Sequence, residues 1–259
     1  LLHQVRKIFP KIPAVFADTG LEYPEIRDFV KTVNNVVWLK PDLSFREVLN
    51  NYGYPVISKK ISRAIRDLKN PTSKNINTRN LYLTGKTRDG VSCPTRKLPK
   101  KWLNLMHAPF KISEQCCDVF KKKPMRRYER ETNRKPIIGT MAEDSSLREK
   151  VYLTQGCNAF NAKYPNSTPM AFWKSADVWE YIKKYNIPYC KIYDMGESHT
   201  GCMFCLFGVH LEKNPNRFQR MQLSHPSQYR FCMDVLGIQK MLSFLRIEYA
   251  NSDQTSFDF

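Results

Sequence analysis

Pro13-Ala14-Val15-Phe16-Ala17-Asp18-Thr19-Gly20 is the stretch on which the fold turns. Its first half is short and apolar enough to be a buried strand, and it runs straight into a polar tripeptide ending in glycine. Working outward, Tyr23-Pro24-Glu25 opens a helix through Val33, with Pro24 in the first turn, where its missing N–H costs nothing. Val36-Val37-Trp38-Leu39 reads as a second strand, followed by a helix from Ser44 to Tyr52. On the other side, residues 1–9 read as the second half of an amphipathic helix already under way, uncapped and ended by Pro10. Short apolar strands alternating with helices are the signature of an α/β fold, a mostly parallel sheet flanked by helices. Ligands of such sheets sit at the carboxyl ends of the strands, which is where Asp18-Thr19-Gly20 falls. The carboxylate could accept from a ribose or base donor, and the glycine allows close backbone approach.

Further along, residues 53–70 form a basic helical surface in which Lys59, Lys60 and Arg63 could neutralise phosphates or lie on a solvated face. Residues 70–99 are polar and read as a long loop or insertion, and a helical stretch begins at Trp102 and carries the chain to Ser113. A charged helix follows over 125–132. Pro136-Ile137-Ile138-Gly139-Thr140 reads as another strand ending in glycine, and Arg148 lies just past it. There an anion-binding side chain could meet the same ligand as Asp18. Ser175 reads as a helix cap, with Val178, Trp179, Ile182 and Tyr185 as the buried face. A last helical region spans 231–247. The expected division is a nucleotide-binding α/β domain over 1–190 and a metal-bearing helical subregion over 191–259.

The second informative stretch is His199-Thr200-Gly201-Cys202-Met203-Phe204-Cys205-Leu206-Phe207-Gly208. A Cys-x-x-Cys turn lets two thiolates point at one metal or cluster, and glycines let the backbone curl around it. The adjacent pair Cys116-Cys117 offers two more, followed by Lys121-Lys122-Lys123, whose charge would help to hold a cluster or a phosphate. Four thiolates in this arrangement suit tetrahedral zinc or a [4Fe–4S] cluster. His210 or His225 could replace a cysteine, although a polar surface or core role suits each better. Cys93 has no partner by spacing, and Cys157 is an isolated loop thiol.

Composition narrows the class. The 259 residues carry 42 Lys+Arg against 24 Asp+Glu, a formal net charge of +18, which suggests a polyanionic partner: nucleic acid or a phosphorylated small molecule. No apolar run approaches the roughly 20 residues of a membrane span, and no signal peptide is visible. Eight cysteines without such a signal point to reduced thiols serving a metal, hence a cytoplasmic protein.

With these residues in hand, the chain resembles the phosphoadenosine phosphosulfate (PAPS) reductase family, iron–sulfur branch, within the adenine-nucleotide α-hydrolase-like superfamily. Residues 15–25 look like its strand-end Asp-Thr-Gly motif, and Gly139 through Arg148 like its second nucleotide-side motif. Residues 169–187 resemble its Pro-Leu-x-x-Trp region, and Cys116-Cys117 with Cys202 and Cys205 its Cys-Cys…Cys-x-x-Cys set. The resemblance implies that Asp18, Thr19, Gly20, Lys59, Gly139 and Arg148 hold ATP or adenylyl sulfate/PAPS. It likewise implies that Cys116, Cys117, Cys202 and Cys205 hold a [4Fe–4S] cluster. It assigns no catalytic residue. Three departures stand out. The family's Ser-Gly-Gly-x-x-Ser phosphate loop is absent from the sequence, trimmed or lost. Met141 replaces an arginine of many relatives, and no cysteine follows Cys232, where family reductases carry a nucleophile in the tail.

Three functions are then in play. The first is ATP-dependent sulfur insertion into nucleic acid (tRNA or DNA), with a sulfur-donor protein as partner. The second is an adenylyl-sulfate or PAPS reductase forming sulfite, with Cys232 or Cys157 as nucleophile. The third is a zinc-stapled module that binds nucleic acid without chemistry.

Overall fold

A computed structural model describes residues 1–197 and 200–251. His199, named with the Cys-x-x-Cys stretch, and most of the polar tail lie outside the described residues. In chain order the elements are α1 (Leu2–Ile8), β1 (Ala14–Ala17), α2 (Pro24–Lys31), β2 (Val36–Leu39), α3 (Phe45–Asn51), β3 (Val56–Ile57) and α4 (Lys59–Lys69). Then follow α5 (Ile76–Thr84), α6 (Lys123–Thr132), α7 (Ser146–Gln155), α8 (Ser175–Lys184), β4 (Leu206–Phe207), α9 (Arg217–Ser224), α10 (Pro226–Arg230) and α11 (Ile238–Phe244). The fold is mixed α/β with parallel strands, as the alternation of strands and helices implies. The strands form two separate parallel pairs, β1 with β2 and β3 with β4.

The chain groups into two interleaved units. One comprises Leu1–Asp18, Glu22–Pro41 and Lys121–Thr200; the other comprises Thr19–Leu21, Asp42–Phe120 and the residues from Gly201 onward. In the first unit, β1 and β2 pair in register from Ala14↔Val36 to Ala17↔Leu39, and every residue of both strands is half-buried. Helices α1, α2, α7 and α8 bury none of their residues, so the core of this unit is thin.

The second unit holds most of the core. Val48, Val56, Ile65, Leu105, Phe120, Leu206, Phe218, Met221, Ile238 and Leu242 are fully buried there. Each large side chain so placed contributes about 1.5–3 kcal/mol of apolar burial. Ile61, Ala64, Ile65 and Leu68 of α4 recur at the 3–4-residue spacing of one helix face, and that face is the buried one. The Ser44 hydroxyl accepts from the Glu47 N–H at 3.3 Å while the Glu47 carboxylate accepts from the Ser44 N–H at 2.7 Å, which starts α3 where sequence places it.

Two backbone positions in this unit are tightly constrained. Ile57 has φ +62°, rare for a β-branched residue, and Ser58 N–H donates back to the Val56 carbonyl at 2.7 Å, closing a γ-turn. The buried Ser62 hydroxyl holds that turn by donating to the Val56 carbonyl (2.6 Å) and accepting its N–H (3.1 Å). Gly53 has φ +108°, and a Cβ there would lie 2.5 Å from the Lys111 carbonyl carbon. This contact lets Tyr54 pair with Ile112.

Several sequence expectations are corrected. Residues 70–99 are not one loop: they contain α5, capped by left-handed Gly85. Its apolar residues are scattered around the helix, with Ile76 and Leu83 exposed and Tyr82 alone buried, so no stripe marks it. The helical stretch at Trp102 is a 3-10 helix, Lys100–His107, and does not reach Ser113. Residues 136–140 form no regular strand among the described residues. Ile137 makes a single parallel bridge to Ser167, whose neighbours are irregular. At α8, Ser175 is the first helical residue, and its N–H is capped by the Glu143 carboxylate at 2.7 Å. The expected buried face is not buried: Trp179 and Tyr185 are 43% and 45% exposed. Their rings meet neighbouring rings instead, Trp179 edge-on to Tyr189 and Tyr193, and Tyr185 against Tyr181.

Candidate functional site

The four cysteines singled out from sequence all lie in the second unit, 85 residues of chain apart, and the fold brings them together. Cys202 and Cys205 bracket a turn closed by Cys205 N–H donating to the Cys202 carbonyl at 3.1 Å. Inside the turn, Met203 and Phe204 are buried, which explains why so apolar a loop stays in place. Met203 N–H donates to the Leu21 carbonyl at 2.8 Å, so the turn is tied to the segment that follows Asp18-Thr19-Gly20. Phe204 lies in an aromatic group with Phe45 and Phe231, and Phe45 in turn meets Phe120. The turn then continues into β4, which β3 fixes through Val56↔Leu206 and Ile57↔Phe207.

Cys116 and Cys117 begin a helical turn that passes into a π-helical segment, Asp118–Lys122. Such segments recur at functional sites because they re-aim side chains by a fraction of a turn. Just before them, Glu114 is held by Arg63 (3.2 Å) and Arg66 (2.9 Å), which anchors the segment to α4. The Cys116 thiol lies 4.0 Å from that of Cys117. Its pKa is pushed far up, first by that hydrogen bond, then by burial, then by the charges that Cys117, Cys205 and Cys202 would carry. That all three of these thiols act on Cys116 puts the four sulfurs in one neighbourhood. None of the eight cysteines is in a disulfide. Among the described residues, no three His, Cys, Asp or Glu side chains are closed around a point that a single metal ion would occupy.

The nucleotide-side residues are divided. Asp18 directly follows β1, with its N–H on the Leu39 carbonyl at 2.8 Å and its carboxylate 7% exposed. Arg27 of α2 meets it, Nε 3.0 Å from Oδ1 and an Nη donating to Oδ2 at 3.1 Å. Although Oδ1 is in ionic contact, it is buried and accepts no hydrogen bond, so it retains acceptor capacity. Thr19 is buried and its hydroxyl accepts from Leu21 N–H, while Gly20 takes φ +73° with open space where a Cβ would be. Gly139 faces Leu1, 3.4 Å from the place of a Cβ. Arg148 is 45% exposed and paired with Asp144 on its own turn. Lys59 opens α4 and is exposed. Asp18, Gly139 and Arg148 belong to the first unit, and Thr19, Gly20 and Lys59 to the second.

Sequence reading missed one positioning residue, Arg27: its place on α2 facing back to the strand end is visible only once α2 is folded. Arg217 follows the cysteines closely enough in sequence to belong to a basic rim, and the structure shows what it holds. Arg217 donates to the Cys205 carbonyl at 3.0 Å and is gripped by Glu212 through its Nε at 2.6 Å, fixing the exit of the cysteine turn.

The first unit thus presents a strand-end carboxylate, at the place where α/β folds take their ligands, and the second unit carries four thiols of a metal-type donor set. Residues 90–206 match the model of the phosphoadenosine phosphosulfate reductase domain. Along 236 residues the chain is 24% identical to an uncharacterised protein of Methanocaldococcus jannaschii, covering 89% of this chain and 43% of that protein. An adenosine 5'-phosphosulfate reductase of Lysinibacillus sphaericus is 33% identical over 92 residues, 35% of this chain and 38% of the relative. The reductase of the same name from Staphylococcus haemolyticus is 22% identical over 216 residues, covering 79% and 64%. This chain thus spans less than half the length of the first two of these relatives and under two thirds of the third. Among solved structures, a phosphoadenylyl-sulfate reductase from Candida auris in a phosphate complex is similar with TM-score 0.38 and 16% identity, covering 74% of this chain and 69% of that one. No helix among the described residues is long and apolar enough to cross a membrane.

Proposed function

We propose that this chain is the nucleotide-binding and cluster-carrying part of an enzyme that uses ATP to insert sulfur into nucleic acid. The carrying observation is the convergence of Cys116, Cys117, Cys202 and Cys205. Four thiolates suit either a [4Fe–4S] cluster or a tetrahedral zinc, and the resemblance to the iron–sulfur branch favours the cluster. Bound there, the cluster would supply a place to hold and hand on sulfur.

The chain's own residues would do the rest. Asp18, oriented by Arg27, has an unused buried acceptor for a ribose or base donor, and Arg148 of the same unit is a cation for the phosphates. Adenylation would join a nucleic-acid oxygen to the α-phosphorus with loss of pyrophosphate; a sulfur nucleophile would then displace AMP. The net charge of +18 favours a polyanionic acceptor.

The names of the relatives favour a second reading, reduction of adenylyl sulfate to sulfite. It needs a thiol nucleophile. Cys232 is a poor one, being fully buried with its thiol pushed up by burial. Cys157 is half-exposed and would have to serve.

The test uses protein purified without oxygen. One arm supplies ATP, sulfide and bulk tRNA or DNA and measures AMP and thiolated nucleosides. The other supplies adenylyl sulfate with a dithiol reductant and measures sulfite. Thiolated product in the first arm is expected, with Asp18→Asn lowering AMP formation at least about 10-fold, the scale of one lost charge-assisted hydrogen bond. Sulfite in the second arm without thiolation in the first would replace this reading with the reductase.

A further inference from the structure

Residues 121–135 hold eight Lys or Arg and two Glu, the densest basic stretch of the described chain outside the sites above. Within α6, Lys123, Arg126, Arg127 and Arg130 fall at i, i+3, i+4 and i+7, which places them along one helix face about 10.5 Å long. The opposite face carries Met125 and Tyr128, both half-buried. Exposed Arg134 and Lys135 continue the row past the left-handed residue Asn133.

What distinguishes this face is that its cations stand together in one row. Several arginines elsewhere are matched: Arg27 with Asp18, Arg63 and Arg66 with Glu114, Arg148 with Asp144, Arg217 with Glu212. Among the described residues, Lys123, Arg126, Arg130, Arg134 and Lys135 have no carboxylate partner, although Glu129 and Glu131 lie on the same helix. Like charges at this spacing repel and weaken a helix, so the row is a local cost that a polyanion would reverse. One member is also held in place: the Arg126 guanidinium sits 4.2 Å from the centroid of the Tyr164 ring, which is 46% exposed. A planar cation fixed on an aromatic face is already oriented for phosphate and for stacking against a base.

We propose that this face of α6, continued by Arg134 and Lys135, is the docking surface for the phosphodiester backbone of a nucleic acid. The choice of partner rests on the nucleic-acid reading given under Proposed function; the surface itself rests on the unmatched row. Its cations would displace condensed counterions from the backbone, so binding would be salt-dependent.

The test compares the chain with Arg130→Glu/Arg134→Glu/Lys135→Glu and with the neutral set Arg130→Gln/Arg134→Gln/Lys135→Gln, using a labelled single-stranded RNA at several salt concentrations. All three side chains are exposed, and the glutamine set guards against misfolding of the first. Charge reversal is expected to weaken binding at least about 10-fold and to flatten the slope of log K against log salt by about 2, the neutral set falling between. Bound iron should be unchanged in both. Binding equal to the unaltered chain in both variants overturns the surface, as does an unaltered chain that binds anionic lipid vesicles but not RNA. Sulfur incorporation separates the two ideas. Weakened variants of a chain that never thiolates RNA or DNA uphold the surface and remove the functional reading. Unweakened variants of a chain that does thiolate remove the surface alone.

Discussion

Cys202→Ala together with Cys205→Ala is expected to abolish protein-bound iron and sulfide, with the broad visible absorbance they produce, in protein isolated without oxygen. The unaltered chain should hold about four irons. The reason is positional. The two thiols come from one turn, and their loss leaves Cys116 and Cys117, which cannot hold a four-cornered group by themselves. The fold should survive, because the turn is anchored by Met203 N–H on the Leu21 carbonyl and by the buried Met203 and Phe204 side chains, none of which is altered. Cys93→Ser is the control: that thiol lies in the segment after α5, is half-exposed, and should leave iron content untouched. Stoichiometric zinc without iron in the unaltered chain would sink both sulfur-chemistry readings and leave a binding module.

Gly53→Ala should be among the most damaging single substitutions away from the cysteines. Two independent penalties meet there. A φ of +108° strains any L side chain, and the new Cβ would stand 2.5 Å from the carbonyl carbon, 2.6 Å from the oxygen and 2.7 Å from the Cβ of Lys111. Backbone cannot step aside as a side chain can, so residues 53 and 111 must separate. A loss of about 3 kcal/mol or more is expected, read as a lowered urea midpoint. The Tyr54↔Ile112 bridge would break with it, and that segment carries Cys116 and Cys117. Iron content should therefore fall although no ligand is touched. Gly20→Ala is the useful comparison, since it meets a positive φ but open space, and should cost about 1 kcal/mol. Equal midpoints for the two variants would contradict the close approach at Lys111.

How much of this could be read from residues alone depends on how local the signal was. β1, β2 and α3 were legible because apolar runs are bounded by Pro, Asp-Thr-Gly and a Ser-x-x-Glu box, all interactions within a few residues. The meeting of Cys116-Cys117 with Cys202 and Cys205 was legible from thiol spacing, since few other uses exist for two such pairs. Helix α5 was hidden because its apolar residues do not share a face. The α8 aromatics misled for the opposite reason: helical spacing marks them as a core stripe, yet they pack on one another near the surface. Arg27 acts on a group brought near by folding, which spacing cannot disclose.

The interleaving of the two units has a consequence for how the protein is made. At about 5–20 residues per second of synthesis, the 85 residues between Cys117 and Cys202 take roughly 4 to 17 s to appear. Throughout that interval the first thiol pair has been synthesised while β3 lacks its partner strand, which arrives only with Leu206–Phe207. A nascent chain therefore passes through a stage with an unpaired strand edge and two waiting thiols, and slow decoding between those points would lengthen its exposure to oxidants and to premature metal capture.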